Sequence, residues 1–272
     1  MRVAMGAIDV HVAEQGDAAA EPVVMIHSSG MSSRQWRGLA RMIAPARRAV
    51  MPDLLGSGDT RGWSPGDPFA IADDAAVVRA VIDALDRPVH LVGHSYGGML
   101  ALTVARALPA ERVRTIAVYE PVAWGVAIDE PGGPVEAQLA AFGDDFFDPA
   151  TGGGEGWYRR FIDFWNGDGA WTALPGPQRD AFLAVGAKVF AEVRALCFDP
   201  TPAVAYAGIA APTLILAGER SPAAERRVCE VLFATMPTAQ LVTCPGLGHM
   251  GLLVKPDEVN RHIAAHVGVA VV

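Results

Sequence analysis

A G-x-S-x-G pattern at residues 93–97, centred on Ser95, constrains this chain more than any other feature. It directly follows the apolar run 89–92 and leads into a helix-forming stretch that begins near Met99. A serine between two glycines, at the junction of a strand and a helix, is the pattern of a nucleophile elbow. So tight a turn strains the serine backbone, and a side chain at 93 or 97 would collide with its neighbours. The pattern therefore predicts a serine hydroxyl held at the end of a sheet, above a helix N-terminus.

Size and charge limit the kind of protein this can be. The chain has 272 residues, 51% of them hydrophobic, which suits one large domain with an insertion. Its net charge is −8 and it has no run of Lys or Arg, so a nucleic-acid partner is not expected. No stretch reaches the roughly 18 uncharged apolar residues of a membrane span, and the N-terminus lacks the apolar core of a signal peptide.

The cysteines and the glycine-rich stretches indicate which compartment and which cofactors to expect. The three cysteines are odd in number and follow no zinc-type spacing, which favours a reducing compartment. The stretch 56–58 lacks the third glycine of a dinucleotide loop, and the elbow lacks the Lys-Ser/Thr ending of a P-loop. We therefore expect no cofactor and no metal. The expected protein is cytoplasmic, acts on a small-molecule substrate without a membrane partner, and is a monomer or a homodimer.

Strand-like and helix-like segments alternate in two parts of the chain, residues 1–120 and 201–272. Residues 2–5 and 8–14 suggest a hairpin, and short apolar runs such as 23–26 are typical of strands buried on both faces. Residues 121–200 show no strand signal, yet they hold thirteen of the twenty aromatic residues. Short helical pieces are predicted there around 134–147, 157–166 and 177–196. The pattern predicts a mostly parallel sheet in a core of 1–120 and 201–272, with 121–200 inserted as a helical cap.

Polar residues follow several of the predicted strands, where the active site of such a sheet lies. These residues are His27, Asp53, Ser95, Glu120, Glu219 and His249. Ser95 is the candidate nucleophile and needs a base within hydrogen-bond reach. His249 is the candidate base, because it lies in a glycine-containing loop directly after the last predicted strand.

Together these features resemble the α/β-hydrolase family over nearly the whole chain. The loop 27–30 stands where many members have a His-Gly-x-Pro loop, residues 53–60 resemble the D-x-x-G-x-G-x-S loop, and residues 246–249 carry Gly-x-Gly-His. The resemblance implies the α/β-hydrolase fold, with a mostly parallel eight-stranded sheet, helices on both faces and a helical cap insertion. It also implies an oxyanion hole made by the backbone N–H groups of Tyr96 and Ser29.

The chain departs from the family at the third member of the triad. The family usually carries an aspartate after the next-to-last strand, and the matching residue here is Ser221. Glu120 is one replacement, because some members carry their acid at that strand end. Glu219 is a second, and a third possibility is that no acid is present. Asp53 belongs to another loop, and we expect it to be structural.

These residues predict a serine hydrolase that cleaves a carboxylic ester, thioester or lactone of a small, largely apolar substrate through an acyl-enzyme. A serine at position 95 argues against epoxide hydrolases and haloalkane dehalogenases, whose nucleophile is aspartate. The alternatives are a ligand-binding relative with weak or lost catalysis, and a cofactor-free haloperoxidase or C–C hydrolase activity. Aromatic residues of the insertion are expected to wall the substrate pocket; the candidates are Trp124, Trp157, Phe161 and Trp165.

Overall fold

The computed structural model describes residues 1–270, which form one eight-stranded sheet with helices on both faces. The strands, in chain order, are β1 (Arg2–Met5), β2 (Ile8–Gln15), β3 (Pro22–Ile26), β4 (Arg48–Pro52), β5 (Val89–His94), β6 (Val113–Tyr119), β7 (Thr213–Gly218) and β8 (Ala239–Cys244). Their spatial order is β1-β2-β4-β3-β5-β6-β7-β8. β1, β2 and β4 pair antiparallel, and the remaining pairs are parallel. The prediction of a mostly parallel eight-stranded sheet is confirmed.

The helices connect these strands and cover the sheet. They are α1 (Arg37–Ile43), α2 (Ile71–Leu85), α3 (Tyr96–Ala107), α4 (Pro134–Phe146), α5 (Glu155–Asn166), α6 (Ala170–Ala173), α7 (Gly176–Ala184), α8 (Gly186–Cys197), α9 (Ala223–Thr235), α10 (Gly251–Val254) and α11 (Pro256–His266). None of those within residues 1–270 is long and apolar enough to cross a bilayer.

The central strands are buried on both faces because helices pack on each side of the sheet. All five residues of β3 are buried. Val24 and Ile26 belong to one apolar cluster, whereas Val23 and Met25 belong to a second one on the opposite face. This two-sided burial explains the continuous apolar run in the sequence, since successive side chains of a strand point to opposite faces.

The chain between β6 and β7 is helical, as the aromatic-rich sequence predicts. The single helical piece expected over 177–196 is wrong in one respect: it is broken at Val185, whose backbone angles of φ −109° and ψ 8° separate α7 from α8. Within α4, the positive φ of Gly143 produces a kink. α8 packs against α2, and α4 packs against α9, so the insertion contacts helices of the flanking parts at two places.

Candidate active site

Ser95 lies between β5 and α3 in a backbone conformation that only a tight turn imposes. Its φ is 54° and its ψ is −123°, outside the regions that most residues adopt. The two glycines are required sterically. A Cβ on Gly93 would lie 2.2 Å from the carbonyl oxygen of Gly97, and a Cβ on Gly97 would lie 2.2 Å from that of Ile26. A side chain at either position would therefore collide with the backbone, as the sequence predicts. The turn leaves the Ser95 hydroxyl at the end of β5.

The loop after β8 brings His249 to Ser95, although the two residues are far apart in the sequence. His249 Nε2 lies 3.0 Å from Ser95 Oγ, and its Nδ1 lies 2.7 Å from Glu120 Oε2. An ionised carboxylate only accepts hydrogen bonds, so Nδ1 donates to Glu120 and Nε2 is left to accept the Ser95 hydroxyl proton. All three side chains are buried.

Glu120 follows β6 and is held by groups from the end of β7. Its φ of 46° lies in the left-handed region, which non-glycine residues rarely adopt. Its Oε1 accepts a 2.5 Å hydrogen bond from the N–H of Gly218 and another from the Ser221 hydroxyl. Glu219, the alternative acid, is exposed and accepts from the N–H of Gly246 at 2.7 Å instead. Of the carboxylates weighed from the sequence, Glu120 is therefore the one that contacts His249.

A partly buried hydrogen-bond chain joins the loop after β3 to the loop that carries His249. Gln35 Oε1 accepts from both the N–H and the hydroxyl of Ser28, each at 3.0 Å. Gln35 Nε2 donates to His94 Nδ1 at 3.1 Å, and His94 Nε2 donates to the carbonyl of His249 at 3.0 Å. Burial, reinforced by the nearby His249 imidazole, lowers the pKa of His94 to about 3. His94 therefore stays neutral and keeps one donor and one acceptor in this chain.

The two groups expected to form the oxyanion hole lie beside Ser95. Tyr96 is the first residue of α3, so its N–H has no acceptor within the helix. Ser29 lines the same cavity as Ser95, and its hydroxyl is buried without a hydrogen-bond partner among residues 1–270. Both residues are thus in positions that suit the role, which stays a prediction.

A small apolar cavity faces Ser95. It has room for about one water molecule, since the volume open to the centre of a water is about 20 Å³. Its walls come from the elbow, the loop after β3 and the insertion, and they comprise Ser29, Ser95, Val122, Trp124, Phe142, Phe161, Phe164, Trp165, Val193, Leu196 and Cys197. Trp124, Phe161 and Trp165 were expected here.

The assignment of Trp157 to the pocket is wrong. Its indole is buried among aromatic side chains of the insertion, stacked between Phe146 and Phe161. Its Nε1 donates to the carbonyl of Phe146 at 3.0 Å. Trp157 thus stabilises the interior of the insertion, because its polar edge and both of its faces are already used.

The contact between Trp165 and His249 was not anticipated. The two rings are stacked, with centroids 3.7 Å apart and planes 20° from parallel. Val193, Leu196 and Cys197 of α8 also line the cavity and were not predicted. Together with Val189 they recur at helical spacing, which could have indicated an apolar face. The stacking has no such signal, because it joins a loop and a helix about eighty residues apart.

The loop that contains Asp53 does not line the cavity. The carboxylate of Asp53 accepts from the N–H groups of Ser33 and Asp59 at 2.7 and 2.9 Å and bonds His11 Nδ1 at 2.8 Å. Burial alone would raise the pKa of Asp53, but these donors outweigh it and lower the pKa. Three or more His, Cys, Asp or Glu side chains could hold a metal ion where their donor atoms lie within 4.8 Å of one another. Within residues 1–270 there is one such group, formed by His11, Asp53 and Asp59. Asp53 thus has the structural surroundings expected of it.

Comparison with known proteins identifies the family of this chain. A model of the alpha/beta hydrolase family matches residues 23–262. A lipase of Mycobacterium tuberculosis is 32% identical over 179 residues, which are 65% of this chain and 61% of the lipase. A pimeloyl-[acyl-carrier protein] methyl ester esterase of Nitrosospira multiformis is 25% identical over 95% of this chain and 98% of its own.

The fold has close counterparts among solved structures. An alpha/beta hydrolase enzyme from a Medee basin deep-sea metagenome library superposes with a TM-score of 0.78 at 17% identity, covering 100% of this chain and 98% of that chain. The chain belongs to the alpha/beta hydrolase family. The prediction of a hydrolase is confirmed at the level of this family, whose matching members carry the names of hydrolytic enzymes.

Proposed function

We propose that this protein is a serine hydrolase that cleaves a carboxylic ester, thioester or lactone of a small, largely apolar substrate through an acyl-enzyme on Ser95. The observation that supports this most directly is the continuous hydrogen-bond relay from Ser95 Oγ through His249 to Glu120. Its geometry is that of a nucleophile, a base and an orienting carboxylate. The segment 121–200 serves as the cap over the site and supplies the apolar wall.

In acylation the proton moves from Ser95 to His249. As Ser95 Oγ adds to the substrate carbonyl, His249 Nε2 takes the hydroxyl proton and Glu120 stabilises the resulting imidazolium. The carbonyl oxygen becomes negative, and the N–H groups of Tyr96 and Ser29 stabilise it. Such donors each contribute on the order of 3 kcal/mol. His249 then gives the proton to the departing oxygen or sulfur, and the acyl group stays on Ser95.

Deacylation uses the same groups with water as the nucleophile. His249 takes a proton from the water as the water oxygen adds to the acyl carbonyl, and it returns that proton to Ser95 Oγ as the acid leaves. The water therefore takes the position that the leaving group has vacated, within reach of His249 Nε2.

A fluorophosphonate probe and a p-nitrophenyl ester series test the proposal together. We expect stoichiometric labelling of Ser95, loss of labelling in Ser95→Ala, and turnover of short-chain esters. Folded protein that neither labels nor turns over an ester would instead favour the ligand-binding alternative. Labelling without ester turnover, combined with hydrolytic cleavage of the carbon–carbon bond of a diketone, would favour C–C hydrolysis.

A further inference from the structure

The two reacting side chains face two different spaces. Ser95 lines the small inner cavity, whereas His249 lines an open groove of about 620 Å³ on the other side. Phe164 and Trp165 line both spaces, so these two aromatic side chains form the partition between them. A groove of this volume is large enough for a small-molecule group.

The chemistry of acyl transfer decides which part of a substrate each space receives, given the serine-hydrolase function proposed above. His249 must protonate the departing oxygen or sulfur, so the leaving group lies on the side that His249 faces. The acyl group stays bonded to Ser95 and therefore lies on the side of the inner cavity, which must be enlarged by displacement of Trp165 because it has room for only about one water molecule. The groove is then the leaving-group site, and Trp165 must move aside for one substrate to span both spaces.

The groove has a charge that the cavity lacks. Arg220 and Lys255 line it and are exposed, and neither forms an ion pair within residues 1–270. No Asp or Glu lines the groove in this described part of the chain. The two cations are therefore free to bind an anion, in a protein whose net charge is −8.

We propose that the groove binds an anionic leaving group, an alcohol or thiol that carries a carboxylate or a phosphate, through Arg220 and Lys255. The preferred substrate class is then an ester or thioester that joins a short apolar acyl group to such an anionic alcohol or thiol. Hydrolysis releases the anionic product on the groove side, where it leaves without crossing the apolar cavity.

Two butyrate esters with leaving groups of nearly equal shape test this assignment. One releases 4-hydroxybenzoate and the other releases its neutral analogue, 4-hydroxybenzamide. We expect the wild type to favour the anionic ester in kcat/KM, and Arg220→Ala/Lys255→Ala to reduce that kcat/KM about three- to thirtyfold, as for two exposed ion pairs. The neutral ester changes less than about twofold. Arg41→Ala/Arg261→Ala is the matched control: it removes the same charge outside the groove and leaves both esters unchanged.

Two further arms test the direction of binding and the kind of anion. A 4-nitrophenyl monoester of adipic acid carries its charge on the acyl side, so the groove variant should leave its kcat/KM unchanged relative to 4-nitrophenyl hexanoate. A butyrate ester of 4-hydroxyphenyl phosphate shows whether phosphate or carboxylate binds better.

The outcomes separate this inference from the function on which it rests. Equal rates for the anionic and neutral butyrates, unchanged in the groove variant, would overturn the leaving-group site but leave the serine hydrolase intact. A groove variant impaired on the adipate monoester alone would overturn it too, because the groove would then bind the acyl side. Absence of both fluorophosphonate labelling and ester turnover in the folded wild type would overturn the proposed function and the inference together.

Discussion

Ser221 stands where the family usually carries its acid, and its hydroxyl donates a hydrogen bond to the carboxylate of Glu120. The carboxylate that contacts His249 thus follows β6 and not β7. The Ser221 hydroxyl and the N–H of Gly218 satisfy the oxygen of Glu120 that His249 does not contact. A carboxylate buried this deeply needs such partners, because an unsatisfied one would be strongly disfavoured.

Glu120→Gln should lower kcat for a p-nitrophenyl ester by about 10³- to 10⁴-fold, because the amide cannot stabilise the imidazolium and can favour the wrong tautomer of His249. Glu219→Gln is the matched control and should retain near-full activity, because Glu219 is exposed and bonds Gly246 instead. Steady-state kinetics on both variants, with thermal unfolding to verify the fold, makes the comparison. Near-full activity in Glu120→Gln would contradict the role of this residue.

An aspartate at position 221 should be able to replace Glu120 as the carboxylate that contacts His249. Ser221 contacts the same carboxylate that His249 contacts, so an aspartate at 221 would lie close to His249 Nδ1. We expect the exchange Glu120→Ser/Ser221→Asp to raise kcat at least about tenfold above that of Glu120→Ser alone. Equal activity of the single and double variants would show that position 221 cannot reach the base.

Trp165 should control the length of acyl chain that the site accepts. Its indole fills space beside Ser95 and stacks on His249. Trp165→Ala should therefore raise the kcat/KM ratio of p-nitrophenyl octanoate to butyrate, by about fivefold or more, because burial contributes roughly 0.8 kcal/mol per CH₂. Trp157→Phe changes an aromatic residue outside the cavity and should leave the ratio unchanged. The prediction fails if both variants show the wild-type profile.

His94 should make stability depend on pH below neutrality. Burial lowers its pKa to about 3, against about 6.5 in an unfolded chain, so below pH 6.5 the unfolded state binds a proton that the folded state does not. The free energy of unfolding therefore falls as pH decreases through this window. Relative to His94→Gln, wild type should lose about 2 kcal/mol between about pH 7.5 and pH 5, measured by urea unfolding. Parallel curves for the two proteins would refute the assignment.

A buried ion cluster joins the insertion to the flanking part of the chain. Lys188 Nζ lies 2.8 Å from Asp74 Oδ2 and 2.6 Å from Glu192 Oε1, and all three side chains are buried. Burial raises the pKa of Asp74, although the charge of Lys188 opposes this rise. Lys188→Met leaves two buried carboxyl groups without their cation and should reduce the free energy of unfolding by about 3–5 kcal/mol.

Two further variants complete the test of this cluster. Lys188→Met/Asp74→Asn/Glu192→Gln should recover a large part of the loss, because no uncompensated charge remains. Arg79→Ala removes one partner of an exposed pair and should change stability by less than about 1 kcal/mol. Equal effects of Lys188→Met and Arg79→Ala would contradict the role of the cluster.

Features that depend on local chemistry could be predicted from the order of the residues. The spacing of glycines around Ser95 predicts a turn that only glycine permits on either side, and the alternation of apolar runs with helical periodicity predicts the mostly parallel sheet. The carboxyl ends of parallel strands meet at one edge, so Ser95, Glu120 and His249 could be placed near one another from strand order alone.

Which of these groups contact one another depends on the packing of segments that are distant in the chain. The choice between Glu120 and Glu219 depends on how the ends of β6 and β7 are aligned, and no local pattern encodes that alignment. The same is true of aromatic residues in the insertion, where Trp157 turned inward and Trp165 stacked on His249. Periodicity shows that a face is apolar, but the packing of distant helices against one another decides what that face covers.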